Sequence, residues 1–125
     1  MEHLDEAAVE AAAALADLGY STDFSPASLA EVDRFFDSDD RDAALTGDAG
    51  AKVAMIGAYV GEVLRRALGG AWVPGDDEPM LAFANGEVTS PLQHTAMRWQ
   101  SSVDSLARYG TAYGLVCVNL PQTAR

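Results

Sequence analysis

Gly57-Ala-Tyr-Val-Gly-Glu-Val-Leu-Arg-Arg66, followed by Gly69-Gly-Ala-Trp72, is the stretch on which the reading of this chain turns. Two glycines four residues apart sit inside an apolar run, and one acid faces two arginines. Glycine in a helix interior costs about 1 kcal/mol against alanine, so a pair of them marks a face that another part of the chain approaches closely. Val53, Ile56, Val60, Val63 and Ala67 trace one helical face, and Gly57, Gly61, Leu64 and Leu68 trace its neighbour. Together they cover more than half the circumference, which predicts a central helix over 49–68 contacted on several sides. Asp48 is its expected N-cap and Gly69-Gly70 its stop.

Upstream, Leu4, Ala8, Ala11, Leu15 and Leu18 keep three- and four-residue spacing, a helix that Gly19 ends. With its following turn, over 1–24, it reads as peripheral. Ser25-Pro26 has the form of an N-cap and a first helical residue, and Leu29, Val32 and Phe36 mark a helix to about Asp37. Residues 37–50 carry no apolar period and read as an acidic loop.

Downstream the period changes. Ala71-Trp72-Val73 is a short strand stopped by Pro74, and Asn85-Gly86 between two further strands signals a hairpin with a type I′ turn. Ser90-Pro91 repeats the cap pattern ahead of Leu92, Ala96, Trp99 and Val103. The stripe continues through Leu106, Gly110, Tyr113 and Cys117 after a break at Ser101-Ser102, and 119–125 reads as a disordered tail. Helices, then a small sheet, then helices argue for one α+β domain over 1–125. The expectation is four to five helices around the long central one, with an antiparallel sheet of two to three strands.

Eight Lys and Arg stand against 19 Asp and Glu, a net charge of -11. Such a field repels nucleic acid and anionic membranes and favours a basic protein partner. The longest apolar run, Val53 to Val63, is broken by Glu62 and is shorter than the roughly 20 residues of a membrane span. The start, with Glu2, Asp5, Glu6 and Glu10, is the opposite of a basic leader, and the single cysteine, Cys117, allows no internal disulfide. The expected location is the cytoplasm.

Tyr59, Glu62, Arg65, Arg66 and Trp72 are the candidate binding residues. As one wall of a cleft, Arg66 could hold a carboxylate or phosphate, and Glu62 could serve as a base if burial raised its pKa. The competing readings are an exposed stripe, each pair worth about 0.2–0.5 kcal/mol, or a partly buried ion pair that only holds the fold. Asp37, Asp39 and Asp48 fall at three calcium-loop positions, but Arg41 occupies a ligand position and Asp42 the turn glycine, which argues against calcium. His3, His94 and Cys117 make no recognisable zinc spacing, and periodicity places His94 on an exposed face. Tyr109, Tyr113 and Cys117 read as packing residues. No phosphate loop, nucleophile elbow or dinucleotide fingerprint occurs, so no catalytic residue, metal or cofactor is assigned.

The central helix and its Gly-Gly-x-Trp ending resemble a group of small bacterial cytosolic proteins of unknown function. The same group is marked by a Ser-Leu-x-x-hydrophobic-Asp segment, here Ser28 to Asp33, a proline-started helix as at Ser90-Pro91, and Asp104-Ser-Leu with a tyrosine, here reaching Tyr109. The resemblance spans roughly 28–113 and implies a bacterial cytosolic protein of α+β fold, with no catalytic residue to carry over. Three functions stand open: a non-enzymatic acidic interaction module of the adaptor or toxin-neutralising kind, a small-ligand protein or minor enzyme with a cleft at Glu62, and a homodimeric structural protein.

Overall fold

The computed structural model describes residues 3–101 and 105–114. In chain order it contains α1 (Leu4–Asp17), α2 (Ser28–Asp37), α3 (Asp40–Ala44), α4 (Ala49–Leu68), β1 (Ala71–Val73), β2 (Met80–Ala82), β3 (Val88–Thr89), α5 (Pro91–Gln100) and α6 (Leu106–Ala112). The architecture is α+β, with five helices besides the long central one among the described residues and an antiparallel sheet of three strands. Cys117 and the 119–125 tail lie outside them.

The central helix spans the expected residues. Asp48 caps it by accepting the Ala51 N–H at 3.3 Å, and Gly69 closes it at φ +76°, where a side chain would be strained. Helices α1 and α5 pack on α4 from two sides, and every residue from Ile56 to Leu64 is buried. The two glycines seat separate neighbours. A Cβ on Gly57 would lie 2.8 Å from the Leu92 Cα of α5, and one on Gly61 would overlap the Trp72 ring and meet Pro91 Cγ at 3.1 Å. The glycine pair thus lets a helix start and an indole rest on the α4 backbone.

Three expectations about the helices need correction. Helix α1 is not peripheral, because Ala8, Ala11, Ala12 and Leu15 are buried in the common core; alanines bring two helices close without bulk. The acidic stretch 37–50 is not all loop, since it folds α3 and buries Leu45; a single anchoring leucine leaves no periodic trace. Ser25 does not cap α2. Its hydroxyl turns back to Asp23 at 2.6 Å, and α2 begins three residues later with no side-chain cap.

The sheet is an antiparallel meander in the order β1-β2-β3, with Trp72 opposite Leu81 and Leu81 opposite Thr89. Its turn holds Gly86 at φ +93° but keeps Asn85 at negative φ, so it is not type I′. Gly86 N–H bonds to Phe83 C=O at 3.0 Å and Phe83 N–H to Glu87 C=O at 2.8 Å. Those bonds describe a type I turn ending in a left-handed glycine, the longer hairpin solution. Ser90 caps α5 as expected, accepting from Gln93 N–H at 3.2 Å.

Candidate functional site

Glu62 projects from the middle of α4, and its side chain is only 1% exposed. Arg65, one turn on, grips the carboxylate with two parallel bonds, Nε to Oε2 at 2.7 Å and Nη2 to Oε1 at 2.8 Å. Arg66 Nε reaches Oε1 at 3.3 Å, and the Trp72 indole N–H donates to Oε2 at 2.9 Å. The tryptophan is placed there by β1 and by the missing side chain of Gly61. Four donors on one buried carboxylate compensate its desolvation. The Arg65 bonds, helped by Trp72 and Arg66, outweigh burial and hold the Glu62 carboxyl at about 2 rather than 4.5. The idea that burial would raise this pKa and make Glu62 a base is therefore corrected: the group is a tightly held anion, a poor proton acceptor near neutral pH.

Tyr59 is fully buried and does not share a wall with Glu62. Its hydroxyl accepts the Phe24 N–H at 3.1 Å and lies 2.6 Å from Ser28 Oγ, which donates to Ser25 C=O at 2.6 Å. These bonds form one directed chain from Phe24 N–H to Ser25 C=O, and burial raises the phenol pKa. Phe24 sits at φ +64°, strained for a bulky residue. Its ring rests on Tyr59 at 4.8 Å, and the Arg66 guanidinium caps the other contact at 3.8 Å. Arg66 thus bridges the two groups. Outside them, a groove of about 340 Å³ runs past Leu4, Asp5, Glu62, Arg65 and Trp72, with the Glu62 oxygens already occupied.

A second buried polar centre has no local signature in the sequence. Asp33 on α2 accepts from Arg98 Nε at 2.8 Å, from Leu106 N–H at 2.8 Å, from Ala107 N–H at 3.0 Å and from Ser105 Oγ at 2.8 Å. It therefore caps α6 from a different helix while pairing with α5. Arg98, 3% exposed, also binds Asp33 C=O at 2.9 Å and Asp37 at 2.7 Å. Burial opposes its charge, but the two aspartates outweigh burial and raise its pKa. The partners of Asp33 lie 65 to 74 residues from it, beyond the reach of any periodicity argument.

Asp37 and Asp48, two of the calcium-loop positions, are thus engaged as an arginine partner and a helix cap. His94 is half-buried rather than exposed, because its ring stacks on Tyr109 at 4.0 Å and 14°. Tyr109 in turn shares a 2.7 Å bond with Thr89, and burial raises its pKa. A groove of about 470 Å³ opens beside them, lined by Glu87, Arg108 and Tyr113 among others. A third groove, about 320 Å³, lies between α1, α3 and α4 and is almost wholly apolar.

No helix among the described residues is long and apolar enough to cross a membrane. No family model matches the chain, and neither a curated protein nor a solved structure matches it.

Proposed function

We propose that this protein is a non-enzymatic interaction module whose acidic surface receives a basic protein partner, and that it belongs with the small bacterial proteins its central helix resembles. One observation carries the reading: most of the described cations are already engaged by a carboxylate or a backbone carbonyl, while further acids stand exposed. Arg65 and Arg66 neutralise Glu62, Arg98 neutralises Asp33 and Asp37, and Arg34 pairs with Glu31. Arg41 donates to the Phe36 carbonyl and lies 3.8 Å from the exposed Asp42, Lys52 donates to the Thr46 carbonyl, and Arg108 is exposed. Asp17, Asp39, Asp42, Asp76 and Asp77 are exposed. The charge a partner meets is therefore concentrated in carboxylates, which speeds encounter with a basic surface and weakens with salt. The engagement of Tyr59 and Glu62 in the fold supports this reading over a reaction at the central helix.

Tagged protein incubated in lysate of the source cell at low salt is expected to capture a basic protein in stoichiometric amount. Raising the salt should release it, and Asp39→Asn with Asp42→Asn should weaken it. A complex that survives high salt and ignores those substitutions would overturn the reading. A second reading, a small-ligand site, is favoured only at the groove beside Tyr109 and His94, where stacked rings and Arg108 would suit a planar anion. Ligand-observed magnetisation transfer from an aromatic carboxylate, lost in Arg108→Ala, would bring it forward.

A further inference from the structure

We infer that the apolar groove between α1, α3 and α4 is the docking surface, and that it receives an amphipathic helix with a basic flank. The inference rests on the interaction reading above and names its surface. Leu15, Leu45 and Ile56 are buried at the floor, Met55 is half-buried, and Ala14 and Leu18 stand at the α1 edge, Leu18 at 44% exposure. Two helices form the long walls, the shape into which a partner helix lays its apolar face. Alanine at the edge allows close approach, and methionine repacks around different shapes.

Charge selects the occupant. Glu10 and Asp17 lie along the α1 stripe of Ala14 and Leu18, at helical spacings of four and three. Asp40, whose carboxylate accepts from the Tyr20 hydroxyl at 2.8 Å, stands one turn before the groove residue Ala44, and Asp48, the α4 cap, one turn before Lys52. All four acids are exposed. Lys52, the cation lining the groove, has its ammonium on the Thr46 carbonyl. An acidic helix, an anionic lipid or a nucleic acid would meet this rim with like charge. So would a second copy of this chain, because a self-complementary contact brings the same acids together. Lysine or arginine flanking leucine-like anchors matches both the apolar floor and the acidic edge.

The probe is a synthetic helical peptide of leucines at three- and four-residue spacing with lysines on the remaining face. A leucine–glutamate peptide and a lysine–serine peptide are the controls. Fluorescence anisotropy at low salt should show binding of the leucine–lysine peptide alone, and amide shift changes should gather on α1, α3 and α4. Leu18→Asp adds negative charge while removing the apolar edge, so it should weaken binding by about tenfold or more. Val88→Thr, at an exposed apolar position on β3 away from the groove, should leave binding unchanged. If Leu18→Asp binds as tightly or more tightly, charge alone holds the peptide. The groove assignment then fails while the acidic-surface reading stands. Equal binding of the leucine–glutamate peptide, or no binding of the leucine–lysine peptide, also overturns the groove, and salt-sensitive capture of a basic protein decides the broader reading separately. Should Leu18→Asp disturb the helix by circular dichroism, Leu18→Ser at the same exposed position supplies the comparison.

Discussion

At the scale of single residues, Glu62 and Tyr59 show how a polar side chain becomes part of a core. Each has its hydrogen bonds satisfied by groups from another segment, Trp72 in one case and Phe24 with Ser28 in the other. Glu62→Gln should therefore act on stability. It leaves Arg65 and Arg66 without their shared anion, but both are more than a third exposed and water compensates them. The loss should be about 2 kcal/mol, below the 3–5 kcal/mol of a fully buried pair, and urea denaturation at neutral pH measures it. The pH dependence has a definite sign. The folded carboxyl stays ionised to about pH 2, whereas an unperturbed one protonates near 4.5. Its contribution is complete above pH 4.5 and is lost as the pH falls from 4.5 toward 2. Glu62→Gln should flatten that part of the stability profile. A variant as acid-sensitive as the parent would assign the acid transition to other carboxylates. The Glu62 pairing with Arg65 and Arg66 was legible because it is i, i+3 and i, i+4 on one helix. Its burial was not, because burial depends on where β1 brings Trp72.

Among elements, the α4 glycines and Asp33 join helices that the sequence separates. Gly61→Ala places a methyl group into the Trp72 ring. Overpacking of about 1–3 kcal/mol should exceed the alanine helix advantage of about 1 kcal/mol, so Tm should fall. Gly50→Ala is the internal control: its Cβ meets only Asp48 Oδ1 at 3.9 Å, and Tm should hold or rise. A Gly61→Ala protein as stable as the parent would show that the indole moves freely. Asp33→Ala removes the acceptor of the Leu106 and Ala107 N–H groups at the start of α6 and one of the two carboxylates on Arg98. A buried arginine losing one of two carboxylates and a helix losing part of its capping should cost about 2 kcal/mol, because Asp37 stays on Arg98 and Ser105 still caps α6. Amide exchange should accelerate in α6 ahead of α4. Uniform acceleration would mean that α6 does not open separately. The glycine spacing announced close packing from the sequence, although which neighbour each glycine seats was not encoded locally. The Ser28–Asp33 segment and the Ser105-Leu106 pair belong to the pattern that carries the resemblance, and the fold joins Asp33 to that pair at the start of α6.

For the whole molecule, a net charge of -11 is a cost spread over the surface. Added sodium chloride should raise Tm at neutral pH, because screening relieves repulsion among exposed acids more than it weakens the pairs at Glu62 and Arg98. A fall in Tm with salt would show that the ion pairs dominate. By itself the sequence determined the central helix with its cap and stop, a small antiparallel sheet of two to three strands after it, the Ser90 cap and the acidic excess. Each of these depends on neighbours within a few residues or on composition alone. Only the tertiary structure decided that α1 belongs to the core, that Leu45 anchors α3, that Glu62 is a held anion and that Asp33 ties α2, α5 and α6 together. Those outcomes depend on contacts between segments tens of residues apart, where burial and hydrogen bonding are set by packing and leave no period along the chain.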